Sequence, residues 1–148
     1  MSCYTYFYIR SKEHHEYVSL GSYGRSCRIS QIVSDDAPYE KIRKATPDMI
    51  DGWITSLRSE IETYEETNKK YEKNIAEIKD YNNSVSEKLD EINQLKDLIN
   101  DNNDSIAEYR GDLELTFLLY RISLEEGQEI YFGQEVIDPK DELIVEET

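Results

Sequence analysis

Cysteine and histidine are nearly absent from this 148-residue chain, which holds two of each. Cys3 and Cys27 are too few for a disulfide-dependent secreted framework and point to reduced thiols, with a Cys3–Cys27 bridge as the alternative. The two histidines, His14 and His15, are adjacent; on any regular element they diverge, so they make a poor metal pair. Most general-base schemes therefore lack a candidate. The sequence also has no glycine-rich phosphate loop, no CxxC pair, no HExxH and no GxSxG. No residue is nominated as catalytic, cofactor-binding or metal-ligating, and an enzyme is not expected.

Long apolar runs are missing too. No stretch approaches the ~20 apolar residues that a membrane span needs. Residues Met1–Ile9 carry no basic start ahead of an apolar run, so no secretory leader is expected. With a bias toward Ile, Tyr, Asn and Lys, residues typical of AT-rich codons, these features suggest a cytoplasmic protein of a bacterial or phage-infected cell. A place in a virion is also compatible.

Positive charge is the third scarcity. Seventeen Lys/Arg face 32 Asp/Glu, for a formal net charge of −15. Residues 1–45 are mildly basic, with seven cations against five acids. Residues 46–126 hold nine against twenty, and residues 127–148 hold one against seven. Direct nucleic-acid binding needs clustered positive charge, so it is not expected. A neutral or basic protein partner is.

What the sequence does have is periodicity. In residues 1–33 the pattern has period two, with Cys3, Thr5, Phe7 and Ile9 on one face and Tyr4, Tyr6 and Tyr8 on the other. SKEHHE reads as a connection, YVSL as a second strand, GSYG as a turn and RSCRISQIV as a third strand, giving a meander. The tyrosine row suits packing across strands better than stacking on bases or another flat ligand.

A helix start follows at Thr46-Pro47-Asp48: a hydroxyl N-cap, proline at the first helical position and an acid in the first turn. From there one heptad row reads Ile50, Leu57, Tyr64, Tyr71, Ile78, Val85, Ile92, Ile99, Ile106, Leu113 and Tyr120. Its companion reads Ile54, Ile61, Asn68, Ile75, Asn82, Leu89, Lys96, Asn103, Arg110, Phe117 and Leu124. Such rows are the signature of coiled-coil packing. Their shared phase allows one helix of ~110 Å, for which a parallel trimer is the expected state. Local chemistry favours a hairpin instead. Asn82-Asn83 tolerates the left-handed conformation that ends helices, and Ser84 to Glu87 forms a capping box for a new one. Ser105 to Glu108, after NDNND, offers a second break of the same kind.

Near the C-terminus, Gly127 closes the helical region and EIYFGQEVI reads as a strand, with Gly133 as a bulge or close-approach point. An acidic tail follows, whose LIV could dock or add to a partner's sheet. The expected fold is α+β: a long antiparallel coiled-coil hairpin projecting from a small antiparallel β-sheet made of N-terminal strands plus a C-terminal strand. Residues 1–45 form a meander and joint, 46–126 a helical hairpin with a turn near 81–83, and 127–148 a strand and tail that complete one compact unit with 1–45.

Three further motifs carry little information. The Glu62/Glu66 pair is the i,i+4 coincidence that an acidic helix must show, and Asp101-Asn-Asn-Asp104 lacks an EF-hand's glycine and terminal glutamate. Arg110-Gly-Asp112 falls inside a helix. The leading functional expectation is a non-enzymatic interaction or assembly protein with an acidic helical surface. Leu95 and Leu98, beside the seam, are available for homo-oligomer contacts. The alternative is an acidic mimic of nucleic acid that inhibits a basic nucleic-acid-binding protein, of the phage anti-defence type.

Overall fold

The computed structural model describes residues 4–13, 16–80, 85–135 and 145. The fold is α+β: a four-stranded antiparallel sheet plus long helices. The elements run β1 (Tyr4–Ser11), β2 (Tyr17–Gly24), α1 (Arg28–Val33), β3 (Arg43–Lys44), α2 (Pro47–Asp80), α3 (Val85–Leu124) and β4 (Gln128–Gln134). Cys3, His14, His15 and residues 81–84, where the turn with Asn82, Asn83 and Ser84 is expected, lie outside the described residues. The chain divides into two units, one of residues 1–56 and 112–148, the other of 57–111.

In the first unit the strands lie in the order β2-β1-β4-β3. The C-terminal strand therefore inserts between the first strand and the short third one. The period-two pattern of β1 sets its two faces. Thr5 and Phe7 are buried on one side, where Phe7 stacks on Phe132 of β4 and meets the edge of Trp53 from α2. Trp53 also lies edge-on to Phe132, with centroids 5.0 Å apart, and donates its indole N–H to Asp36 Oδ2 at 3.1 Å. Ile29, Val33, Ile50, Ile130 and Leu119 are buried with them in this unit. On the other side, Tyr4, Tyr6 and Tyr8 follow one another at 6.5 Å spacing. Tyr8 is fully buried in a cluster with Ile42 and Tyr131, so the row is packing and not an open platform.

Three sequence expectations in this unit are corrected. RSCRISQIV is not a third strand; Arg28–Val33 is a helix. Its β-branched residues favour strands, but Ile29 and Val33, four apart, bury one helical face. Cys27 at the N-cap gives no side-chain bond there. Asp112 of α3 supplies it instead, with Oδ2 accepting from the Ile29 N–H at 3.1 Å. The GSYG turn is likewise absent: these residues continue β2 to Gly24. The bulge expected at Gly133 sits in β2. Phe7 pairs with Gly21 and Tyr8 with Ser19, which leaves Leu20 as the extra residue. Gly21 adopts φ +131°, a backbone conformation costly for any other residue. Gly133 pairs regularly with Tyr6.

Thr46 caps α2 as its sequence implies: its Oγ1 accepts from the Met49 N–H at 3.2 Å, and its carbonyl from Ile50 at 3.1 Å. The second break expected at NDNND does not occur, and α3 runs unbroken across it. Asn102 and Asn103, within that motif, use their side-chain amides to reach α2. Asn102 Nδ2 donates to Asn68 Oδ1 at 2.9 Å, and Asn68 Nδ2 donates to Asn103 Oδ1 at 3.0 Å. Tyr64 meets Tyr109 edge-on at 5.7 Å, and Arg110 pairs with Glu65 at 3.0 Å. All of these contacts lie within the 57–111 unit. In them, lower positions in α2 meet higher positions in α3.

The companion heptad row is corrected in α3. In α2 both rows are buried or half-buried, from Ile50 and Ile54 to Ile75 and Ile78. In α3 only the first row is: Ile92, Ile99, Ile106, Leu113 and Tyr120. The companion positions Leu89, Lys96, Asn103, Arg110, Phe117 and Leu124 are exposed. Their place is taken by Leu95, Asn102, Tyr109 and Thr116. The seam spacing thus begins 4-3 in α2 and 3-4 in α3. The two helices follow different frames, as separate segments would. The phase match was confined to one row.

Candidate functional site

On the tyrosine side of the sheet, adjacent strands bring five polar side chains together. Register places Arg10 opposite Tyr17 on β2 and Glu129 on β4, and Tyr131 opposite Tyr8 and Lys44. The Arg10 guanidinium lies over the Tyr17 ring at 5.2 Å, and Tyr17 meets Tyr131 edge-on at 5.3 Å. The Tyr131 hydroxyl donates to Glu129 Oε2 at 2.8 Å, and Lys44 Nζ stands 3.6 Å from that same oxygen. The Tyr131 hydrogen bond, followed by Lys44 and Lys12, lowers the Glu129 pKa against the opposing effect of burial. Burial first, then Glu129, pushes the Tyr131 phenol up to about 12. Both groups therefore hold fixed protonation states near neutrality, with the phenol neutral and the carboxylate ionised. General acid–base chemistry needs a group that titrates near the working pH, and the shifts of Glu129 and Tyr131 both lead away from neutrality. It is a strut between strands.

Two smaller features complete this unit. Tyr23, against Phe7, has its pKa raised by burial and then by Asp112 and Cys27. Cys27 is a free, half-buried thiol at the head of α1.

The 57–111 unit offers a different surface. It holds eight Lys/Arg and fourteen Asp/Glu. Among its described inner positions Asn68 and Asn102 are polar; Asn68 is 8% exposed and bonded to both Asn102 and Asn103. A buried polar side chain with matched partners fixes register, at a cost in stability. Beyond the tyrosine pair, where α2 nears its end and α3 begins, the inner residues become aliphatic and a groove of about 380 Å3 opens. Among the described residues, Ile78, Leu95 and Leu98 are its apolar lining, Asn74 and Gln94 its polar lining, and Glu77 and Glu91 its charged lining.

The motifs singled out from sequence fall as follows. Glu62 and Glu66 are both exposed on α2. In Asp101-Asn-Asn-Asp104 the asparagines serve the Asn68 cluster while both acids face solvent. Arg110-Gly-Asp112 divides between two roles, Arg110 pairing with Glu65 and Asp112 capping α1. Leu95 belongs to the seam, whereas Leu98 stands 44% exposed beside it. Sequence reading missed the Arg10–Tyr17–Tyr131–Glu129–Lys44 network. Its members come from four strands, and only their pairing reveals it.

Among the described residues no cluster of three or more His, Cys, Asp or Glu is placed to hold a metal ion, and no helix is long and apolar enough to cross a membrane. No protein-family model matches the chain, and no curated protein or solved structure matches it.

Proposed function

We propose that this chain is a non-enzymatic protein-interaction or assembly protein, in which α2 and α3 form an antiparallel coiled-coil hairpin carried by the small sheet unit. The observation that supports it best is the Asn68–Asn102–Asn103 cluster. A polar cluster built around one buried asparagine gives up apolar packing for a fixed alignment of two helices. Fixed alignment matters when the outer faces of the helices must present side chains in register to something else. The partner is a neutral or basic protein, and self-association through the remaining exposed apolar positions adds a homo-oligomer.

A nucleic-acid mimic remains a second reading, favoured by the closely spaced Glu60, Glu62, Glu65 and Glu66. It is the weaker one. Lys69, Lys70, Lys73 and Lys79 follow that run in α2, and Arg110 neutralises Glu65 within it.

Two measurements test the proposal together: light-scattering mass across a concentration series, and affinity capture on the immobilised chain at rising salt. Self-association, or a protein partner retained at high salt, supports the interaction reading. Retention only of nucleic-acid-binding proteins, lost as salt rises, supports mimicry. A monomer that retains nothing at any salt defeats both.

A further inference from the structure

The groove between α2 and α3 has the composition of a helix-receiving cleft. Ile78 and Leu95 are half-buried along it, and Leu98, at 44% exposure, stays in water although it stands beside the seam. Placing that leucine against another apolar surface recovers the contact that the helix pair itself leaves unmade. The charge at the rim is one-sided among the described residues. Glu77 and Glu91 are both exposed and come from opposite walls, and no described Lys or Arg lines the groove. Glu77 lies in α2 and Glu91 in α3, so an occupant running along the cleft has an acid on each side.

From this we infer that the groove docks an amphipathic helix of a partner protein, one that presents an apolar stripe to Ile78, Leu95 and Leu98 and carries Lys or Arg on both flanks to meet Glu77 and Glu91. Helix-in-groove recognition works in this way: anchors at i, i+3, i+4 and i+7 fill the apolar floor, and flanking charges fix orientation and selectivity. A second copy of this chain fits less well, because its surface is acidic over the same region and would set carboxylates against Glu77 and Glu91. This inference rests on the interaction reading above and narrows it to one surface and one partner chemistry.

The test uses the full-length chain and an 18-residue synthetic helix bearing leucine at i, i+3, i+4 and i+7 with lysine on both flanks, labelled for fluorescence anisotropy at physiological salt. The wild-type chain binds it. Leu98→Asp, at an exposed position, weakens binding about ten-fold or more, with the helical circular dichroism unchanged. The Glu77→Lys/Glu91→Lys double variant loses the lysine peptide and gains a peptide whose flanks are glutamate. Three results overturn the inference: equal affinity for a lysine peptide with serine in place of leucine, affinity indifferent to Leu98→Asp and to the charge swap, or no binding to the wild-type chain. If Leu98→Asp instead lowers the solution mass from dimer to monomer, the occupant is a second copy and the inference is also overturned. The broader reading fails separately. A natural partner retained equally by wild type and Leu98→Asp refutes the groove alone, whereas a chain with no partner and no self-association refutes both.

Discussion

Phe132 and Phe117 are the same residue type in opposite environments. The heptad pattern places Phe117 in the companion row, whereas the fold leaves it 40% exposed and buries Phe132 completely. Phe132 stacks on Phe7 with centroids at 6.4 Å and meets the Trp53 edge at 5.0 Å. Truncating such a residue to alanine costs ~3–5 kcal/mol, transfer and cavity together. Phe117 keeps less than two-thirds of its surface from water, so its burial contributes roughly 1 kcal/mol. Alanine's better helix propensity returns about 0.5 kcal/mol of that. The expected losses are therefore ~4 kcal/mol for Phe132→Ala and under ~1 kcal/mol for Phe117→Ala. With a urea slope of ~2 kcal/mol per molar, the first lowers the unfolding midpoint by about 2 M and the second by less than 0.5 M. Trp53 is the only tryptophan and sits against Phe132, so its fluorescence follows the same unit that the substitution disturbs. Equal losses for the two variants, or a larger one for Phe117→Ala, would refute the shifted seam of α3 and restore the original companion row.

Three further outcomes follow from single contacts. Asp112→Ala removes the only side-chain cap on the head of α1 among the described residues, and a loss of ~1 kcal/mol is expected from urea unfolding; an unchanged midpoint would show that solvent replaces it freely. Gly127 adopts φ +83° with open space where a Cβ would stand, so Gly127→Ala pays conformational strain alone, ~1 kcal/mol, and a neutral result means the turn relaxes. The Tyr131 phenol, with its folded pKa raised to about 12, favours the fold fully below the ordinary tyrosine value of 10.0, and this contribution is lost as pH rises through about 12. The ultraviolet difference between wild type and Tyr131→Phe should therefore titrate near 12 and move down in Glu129→Gln. Glu129 works in the other direction: its lowered pKa gives stability that is present above the ordinary carboxylate value and lost as pH falls through the folded one.

How much of this was legible in the chain depends on the range of the forces involved. The strand β1, the Thr46 cap and the strand β4 are set by local period and capping chemistry, and a linear reading finds them. The helix at Arg28–Val33 is not local in origin. Its cap comes from a residue 83 positions away, and nothing near Cys27 announces it. The companion row failed for a different reason. Leu89, Phe117 and Leu124 continue the heptad phase by residue type, whereas the set that takes their place, Leu95, Asn102, Tyr109 and Thr116, keeps phase with the first row only in the folded α3. Asn102 became legible only once Asn68 supplied its partner. The acid-rimmed groove was half visible: Leu95 and Leu98 stood out as apolar residues near the seam, but the two glutamates that flank them come from separate helices.

The proposed hairpin sets α2 and α3 side by side in opposite directions, and one distance tests it. Glu65 and Arg110 form an exposed ion pair at 3.0 Å across 45 residues of sequence, and breaking such a pair costs little. Replacing both with spin-labelled cysteines, in a chain carrying Cys3→Ser and Cys27→Ser and diluted with unlabelled protein, allows their separation to be read by double electron–electron resonance. Paired helices have axes ~8–10 Å apart, which puts the labels within about 20 Å of each other. A single continuous helix rises 1.5 Å per residue and would hold them ~68 Å apart. A distribution centred near the shorter value is the expected result; one centred near the longer would contradict the hairpin.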